Sequence, residues 1–240
     1  MSPRKSYQDI AYKYLLEEII SMRLPPNMPI IEQDIAYKLN ISRTPVREAL
    51  KLLESTGLVV RYISQGTFVS AVSITDIEEV CDLRTALELY ALEKSIYRIT
   101  EDEISKVEQQ FIESMESVRQ GSPQLFQAAD AALHDLIVAK VGSVRLKFMV
   151  DNLKIQVARF RVSVTNVYTN WEQSYREHMD IIKYIRNKDL ISAKESLSHH
   201  LMYVKRRYVE IWKHTIINNS NGIYGQGNKS LDGYLYNKGE

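Results

Sequence analysis

At 240 residues the chain has room for two modest domains, and 31 Lys+Arg against 30 Asp+Glu leave a formal net charge of +1, too balanced for a polybasic binder. A single cysteine, Cys81, excludes disulfide scaffolds and cysteine-based zinc fingers. No apolar run approaches the roughly 18 residues of a membrane helix and no signal-peptide pattern opens the chain, so a cytoplasmic protein without membrane contact is expected.

The first clear element is a short helix over Glu32–Leu39, with Ile31, Ile35, Ala36 and Leu39 inward, closed by a tight turn at Asn40-Ile41. Ser42 is a good N-cap, and Pro45 is compatible only with the first turn of a second helix. Val46, Ala49, Leu50 and Leu53 recur at i, i+3, i+4 and i+7 and give that helix one apolar face. Arg43, Thr44 and Arg47 fall at its N-terminus, off the stripe, which is the layout of a helix that reads a DNA major groove. Two β-branched and aromatic runs, Gly57–Tyr62 and Thr67–Ser70, flank Ser64-Gln65-Gly66 and predict a hairpin with Gly66 at its tip and Thr67 beside it. Helix, turn, helix and hairpin make a winged helix-turn-helix. Residues 1–72 hold nine Lys+Arg and seven Asp+Glu, so DNA affinity must come from the placement of a few arginines and from dimerisation on a palindromic operator.

From Ile74 onward the period changes to 3.6. Thr75 is expected to cap a helix to about Arg98, with Ile77, Val80, Leu83, Leu87 and Ala91 inward and Cys81 as ordinary core. Thr100-x-x-Glu103 is a capping box for a helix to about Arg119. Gly121-Ser122-Pro123 opens a third helix to about Val141, Gly142-Ser143 a fourth to about Thr165, Tyr168-Thr169-Asn170 a fifth to about Asn187, and Asp189 a sixth to about His214. The fold class is therefore mainly α: an N-terminal winged helix-turn-helix over 1–72 and an antiparallel six-helix bundle over 73–215. Residues 216–240, aperiodic and rich in Asn, Gly, Ser and Tyr from Asn218, are expected to form a disordered tail.

Asp130 and His134 lie at i and i+4 on the third bundle helix, His178 on the fifth and His200 on the last. One carboxylate and three imidazoles from three helices suit one divalent metal per subunit, zinc or nickel first, manganese or iron as alternatives. Next to His200, His199 points about 100° away and belongs to the surface. Such a metal could in principle activate water, but the nearest carboxylate in sequence, Glu177, is adjacent to His178 and should point away from it. The chain has no Gly-rich phosphate loop, Gly-x-Ser-x-Gly or His-Glu-x-x-His motif, so it is read as no enzyme.

Leu24-Pro25-Pro26-Asn27, Glu32, Ala36, Ser42–Leu50, Leu53-Glu54, Gly57-Leu58-Val59, Gly66 and Phe68-Val69 together resemble the GntR family of bacterial transcription regulators over about residues 7–70. Asn27 stands where that family usually has glycine, and asparagine tolerates the left-handed backbone the turn needs. The resemblance adds Glu32 and Ser42 to Arg43, Thr44, Arg47, Gly66 and Thr67 as DNA-interface residues. Asp130-x-x-x-His134, Glu177-His178-x-x-Ile181, Asp189-x-x-x-Ala193 and His200-Leu201 resemble the FCD effector domain of the FadR-like branch over about residues 74–213. In metal-binding members those Asp and His positions are the ligands, and small carboxylates or other metabolites bind at or near the metal. Arg84, in Arg84-x-x-x-Glu88, resembles an FCD arginine that faces the cavity; as a plain helix pattern it is equally an i, i+4 surface ion pair. Asn152 and Arg159 are further effector candidates, Arg159 and Arg161 being two apart so that at most one faces the interior. The expected function is a ligand-responsive regulator, acting as a repressor and homodimer, with a small carboxylate as effector. The alternative is a constitutive DNA-binding protein whose bundle only dimerises around a structural metal.

Overall fold

The computed structural model describes the backbone of residues 6–163 and 170–220, with side chains described through 160 and from 170 to 213. The expected helix end at Thr165, the start at Tyr168-Thr169, the side chains of Arg161 and His214, and the tail beyond residue 220 lie outside the described residues.

The N-terminal elements are α1 (Tyr7–Ile20), β1 (Pro29–Ile30), α2 (Glu32–Leu39), α3 (Arg43–Ser55), β2 (Val59–Tyr62) and β3 (Gly66–Val69). The recognition helix predicted after Ser42 is α3: Ser42 is its N-cap in extended conformation, and Val46, Ala49, Leu50 and Leu53 are its buried residues. Asn40, at φ 51°, makes the left-handed turn between α2 and α3, and Asn27 sits at φ 66° where glycine was the expectation for the family. Two elements were not anticipated. α1 is held by a Ser6–Asp9 capping box and buries Ala11, Leu15 and Ile19 against α3. β1 adds an edge to the hairpin, so the sheet order is β1-β3-β2, all antiparallel. Pairing of Tyr62 with Gly66 and Arg61 with Thr67 places Ile63-Ser64-Gln65 at the wing tip, so Gly66 opens β3 and is not the tip. Its φ of +105° still requires glycine.

Six helices follow among the described residues: α4 (Ile74–Ser95), α5 (Glu101–Arg119), α6 (Gln124–Ala139), α7 (Val144–Ser163), α8 (Trp171–Arg186) and α9 (Leu190–Ser220). The Thr100–Glu103 capping box is present, with both backbone amides taken up by the facing side chains. The cap of α4 is Ser73 with Asp76 rather than Thr75, because Ser73 is the last extended residue and its hydroxyl reaches the N3 amide. α9 continues through residues 216–220, which the composition had assigned to the tail. On α4, Ile77, Val80 and Ala91 are buried as expected, but Leu83 is 56% exposed and Arg84 and Glu88 occupy the inward face. The bundle is polar at that level, and an ion pair there can be satisfied where a leucine would meet charged atoms. The main core runs from Ala91 and Leu92 through Phe111, Phe126, Leu133, Ile181 and Leu197. A second cluster joins the start of α4 to the end of α7 and to Val204 and Tyr208 of α9. Ile155 of α7 packs on the winged-helix core, tying the two halves together. No described helix is long and apolar enough to cross a membrane.

Candidate functional site

Ser42, Arg43, Thr44 and Arg47 are all exposed at the N-terminus of α3, as its apolar stripe demands. Glu32, at the start of α2, is the hub behind them. Its carboxylate accepts from Arg47 Nε at 3.1 Å and Nη2 at 2.8 Å, and lies 3.7 Å from Arg43 Nη2 and 3.5 Å from Arg61 Nη2. The Arg47 hydrogen bonds hold Glu32 below the usual carboxylate range despite its partial burial. One mostly buried carboxylate thus gathers three half-exposed guanidiniums, two from α3 and one from β2, on one face. Glu32 is placed to orient arginines, and a carboxylate is a poor partner for phosphate. Arg61 was not singled out from sequence; nothing in a strand pattern signals which exposed residue faces the recognition helix. Thr67 is only 8% exposed, its side chain lying under the sheet, so it is not a free wing contact. The wing instead exposes Tyr62, Ile63 and Gln65.

Inside the bundle, one ligand atom each from Asp130, His134, His178 and His200 lies within 4.8 Å of the other three, and all four residues are buried. His178 Nδ1 faces the Ser174 carbonyl at 2.7 Å, His200 Nδ1 faces Glu177 Oε2 at 2.9 Å, and His134 Nδ1 makes a short contact with Glu88 Oε2. Carbonyls and carboxylates accept only, so each Nδ1 carries the proton and each Nε2 presents a lone pair. His178 Nε2 then confronts Asp130 Oδ1 at 3.0 Å, acceptor against acceptor, and buried His134 Nε2 has no hydrogen-bond partner among the described residues. A cation between these atoms removes both conflicts. This donor set, three imidazole nitrogens and a carboxylate, fits a borderline divalent ion. The rings of Phe111 and Phe126 pack on His178, 4.6 and 5.8 Å between centroids, and give the cluster an apolar wall.

Glu88, read from sequence only as the helix partner of Arg84, and Glu177, expected to point away, both support the cluster. Glu88 is fully buried and joins Arg84 Nε at 2.6 Å to His134. Burial alone would raise its pKa, but Arg84 and His134 prevail and hold it at about 2. Burial lowers the basicity of His134, yet Glu88 outweighs this and raises it, so a cation at Nε2 competes there with a second proton. Burial and the neighbouring His178 push His200 down to about 4. Glu177 does not point away from the cluster: it is half-buried and turned onto His200. Arg84 is the i, i+4 partner of Glu88, but the pair is buried rather than superficial. Arg159 is not brought to the cluster; its guanidinium donates to the Ser70 carbonyl at the joint between wing and bundle. Asn152 is half-buried on α7, and no hydrogen bond among the described residues links it to the four ligands. His199 is exposed, as its position beside His200 requires.

A winged helix that displays arginines, joined to a helical bundle with a buried His/Asp cluster, defines the class of DNA-binding regulators with a sensing domain. Comparison with known proteins makes this specific. Residues 7–69 match the family of bacterial regulatory proteins named gntR, and residues 79–202 match the FCD domain. The chain belongs to the GntR family of transcription regulators and carries an FCD domain. It is 23% identical over 212 residues to the HTH-type transcriptional repressor RspR of Escherichia coli K12, covering 88% of this chain and 92% of that one. It is 26% identical over 209 residues to the gluconate operon transcriptional repressor of Bacillus subtilis 168, covering 85% of each. The fold is shared with Escherichia coli McbR/YncC, with a TM-score of 0.71 at 17% identity over 88% of this chain and all of that one. These relatives are regulators of transcription and not enzymes.

Proposed function

We propose that this regulator represses transcription as a homodimer on a palindromic operator, and that a small carboxylate, bound at or beside a divalent metal in the bundle, changes its DNA affinity. In this reading residues 1–72 read DNA and residues 73–215 dimerise and sense. The observation that carries it is the convergence of Asp130, His134, His178 and His200 in the same chain as an exposed, arginine-bearing recognition helix. The metal is held by those four side chains, zinc or nickel first, and supplies a positive centre for an anionic effector. Arg84 supports the choice of a carboxylate: it is a buried guanidinium of which Glu88 takes the Nε–H, and its fork of N–H donors suits a carboxylate bidentately. Dimerisation is favoured by the apolar residues that the packed helices α4 and α7 leave exposed, Leu83, Tyr90, Val144 and Phe148. A single module with so little net charge would bind weakly and unselectively.

The test is a titration of small organic acids by thermal shift on metal-loaded protein, followed by operator binding with each acid that stabilises it. A ligand that binds only the folded state raises the melting temperature by mass action. The acid that does so should change operator affinity, and by reciprocity the operator should change acid affinity by the same factor. Acids that bind without altering operator affinity would reduce the bundle to a dimerisation unit around a structural metal.

A further inference from the structure

The recognition helix α3 ends at Ser55, and the carbonyl of its C-cap, Thr56, has no place in the helical ladder. Gln156 of α7 donates to that carbonyl from Nε2 at 3.2 Å. One turn further along α7, buried Arg159 donates from Nη2 to the carbonyl of Ser70, the first residue after β3. These two side chains therefore hold the two ends of the DNA-reading unit: the foot of the recognition helix and the exit of the wing.

Apart from Ile155, which packs on the winged-helix core, the joint is loosely filled beside these bonds. A cavity of about 330 Å³ lies beside these contacts, lined by Gly57, Tyr62, Val72, Asp76 and Phe160 as well as by Gln156 and Arg159. Where atoms do not interlock, orientation rests on directional bonds rather than on packing. Arg159 is a firm anchor, since its neighbour Phe160 is 2% exposed in the core shared with α4 and α9. Burial lowers its basicity to about 10, with Asp76 opposing the change, so it stays charged near neutrality.

We infer that Gln156 and Arg159 are positioning residues for DNA recognition, setting the angle at which α3 leaves the bundle. The lever is long. α3 spans 13 residues, about 20 Å, so a 10° tilt about its foot displaces Arg43 by about 3 Å, more than a base contact tolerates. Neither residue touches DNA in this assignment. Their effect appears in how two recognition helices are spaced, not in how one helix reads its half-site.

The experiment compares wild-type full-length protein with Gln156→Leu, Arg159→Met and the double variant, substitutions that keep volume and remove the donors. Binding is measured on operators whose half-site separation is stepped by single base pairs, and on an isolated half-site. Expected is a loss of about tenfold at the best spacing, little change at neighbouring spacings and on the half-site, and unaltered metal content. An equal loss on every DNA, or no loss on any, overturns the inference. The spacing arm rests on the dimeric, palindrome-reading proposal, so limited proteolysis of the 70–73 segment serves as a second arm that does not. There the variants should be cleaved at least about threefold faster than wild type. If wild type binds a half-site as well as a palindrome, the dimeric reading fails and the cleavage rate alone decides, an unchanged rate ending the inference.

Discussion

Glu88→Gln is the sharpest single test of how the interior of the bundle is held together. Glu88 is completely buried between Arg84 and His134, and its carboxyl is held at about 2 against an ordinary 4.5. That difference corresponds to about 3 kcal/mol by which the folded state favours the ionised form, and removing one member of a buried pair typically costs about 3–5 kcal/mol because the other charge is stranded. The variant should therefore be about 3 kcal/mol less stable at pH 7 in urea denaturation, with a chelator present so that metal binding does not enter. The sign with pH follows from the depressed folded pKa. The contribution is complete above pH 4.5, where both states are ionised, and is lost as pH falls from there through 2, where the folded protein must also take up a proton. The gap between wild type and variant should accordingly narrow from pH 4.5 to 3. As the partner of His134 Nδ1, Glu88 also fixes the ring for metal, so the variant should bind metal about 10- to 100-fold more weakly. A loss below about 1 kcal/mol at pH 7, within the ordinary range of single substitutions, or a gap indifferent to acid, would refute this account of the pair.

Purified protein should contain one divalent ion per chain, and chelation should lower its melting temperature by about 5–10 °C if the metal stood near 100 times its dissociation constant. His178→Ala should abolish that increment, and full occupancy in this variant would place the ligands elsewhere. Arg47→Ala should weaken operator binding by about ten- to hundredfold and relax selectivity at one position per half-site; a uniform loss across unrelated sequences would mark it instead as a phosphate contact. Cys81 is buried and its thiol is pushed up to about 11 by that burial, so iodoacetamide at pH 8 should modify it only after unfolding. Prompt alkylation of the native protein would show that the α4–α9 seam opens freely.

The elements were legible wherever a local rule governs them. Ser42 and Pro45 mark the start of α3, Thr100 and Glu103 each take up the other's backbone amide, and Asn27 and Asn40 take the left-handed turns that few other residues tolerate. The i, i+4 spacing of Asp130 and His134 likewise puts them on one face of whatever helix contains them. That His178 and His200 meet them was carried by the family resemblance together with that spacing, not by the spacing alone. α1 escaped notice because its apolar residues are interleaved with tyrosines and charges, and only α3 defines which side is inward.

Rotation and approach were decided by tertiary structure alone. Leu83 and Arg84 are adjacent on one helix, and the pattern favoured the leucine for the core; the polar centre of the bundle turned Arg84 and Glu88 inward and left Leu83 in solvent. Glu177 diverges from His178 along α8, yet it meets His200 because α9 packs on that side. Thr67 is buried because it shares a face of β3 with Val69, which packs in the winged-helix core, and Arg159 reaches the wing exit because α7 lies against the winged helix. A sequence determines which residues share a face, since helix and strand periods are fixed by covalent geometry. Which neighbour that face meets depends on burying the whole apolar surface at once while satisfying every buried charge, and that balance exists only in the assembled bundle.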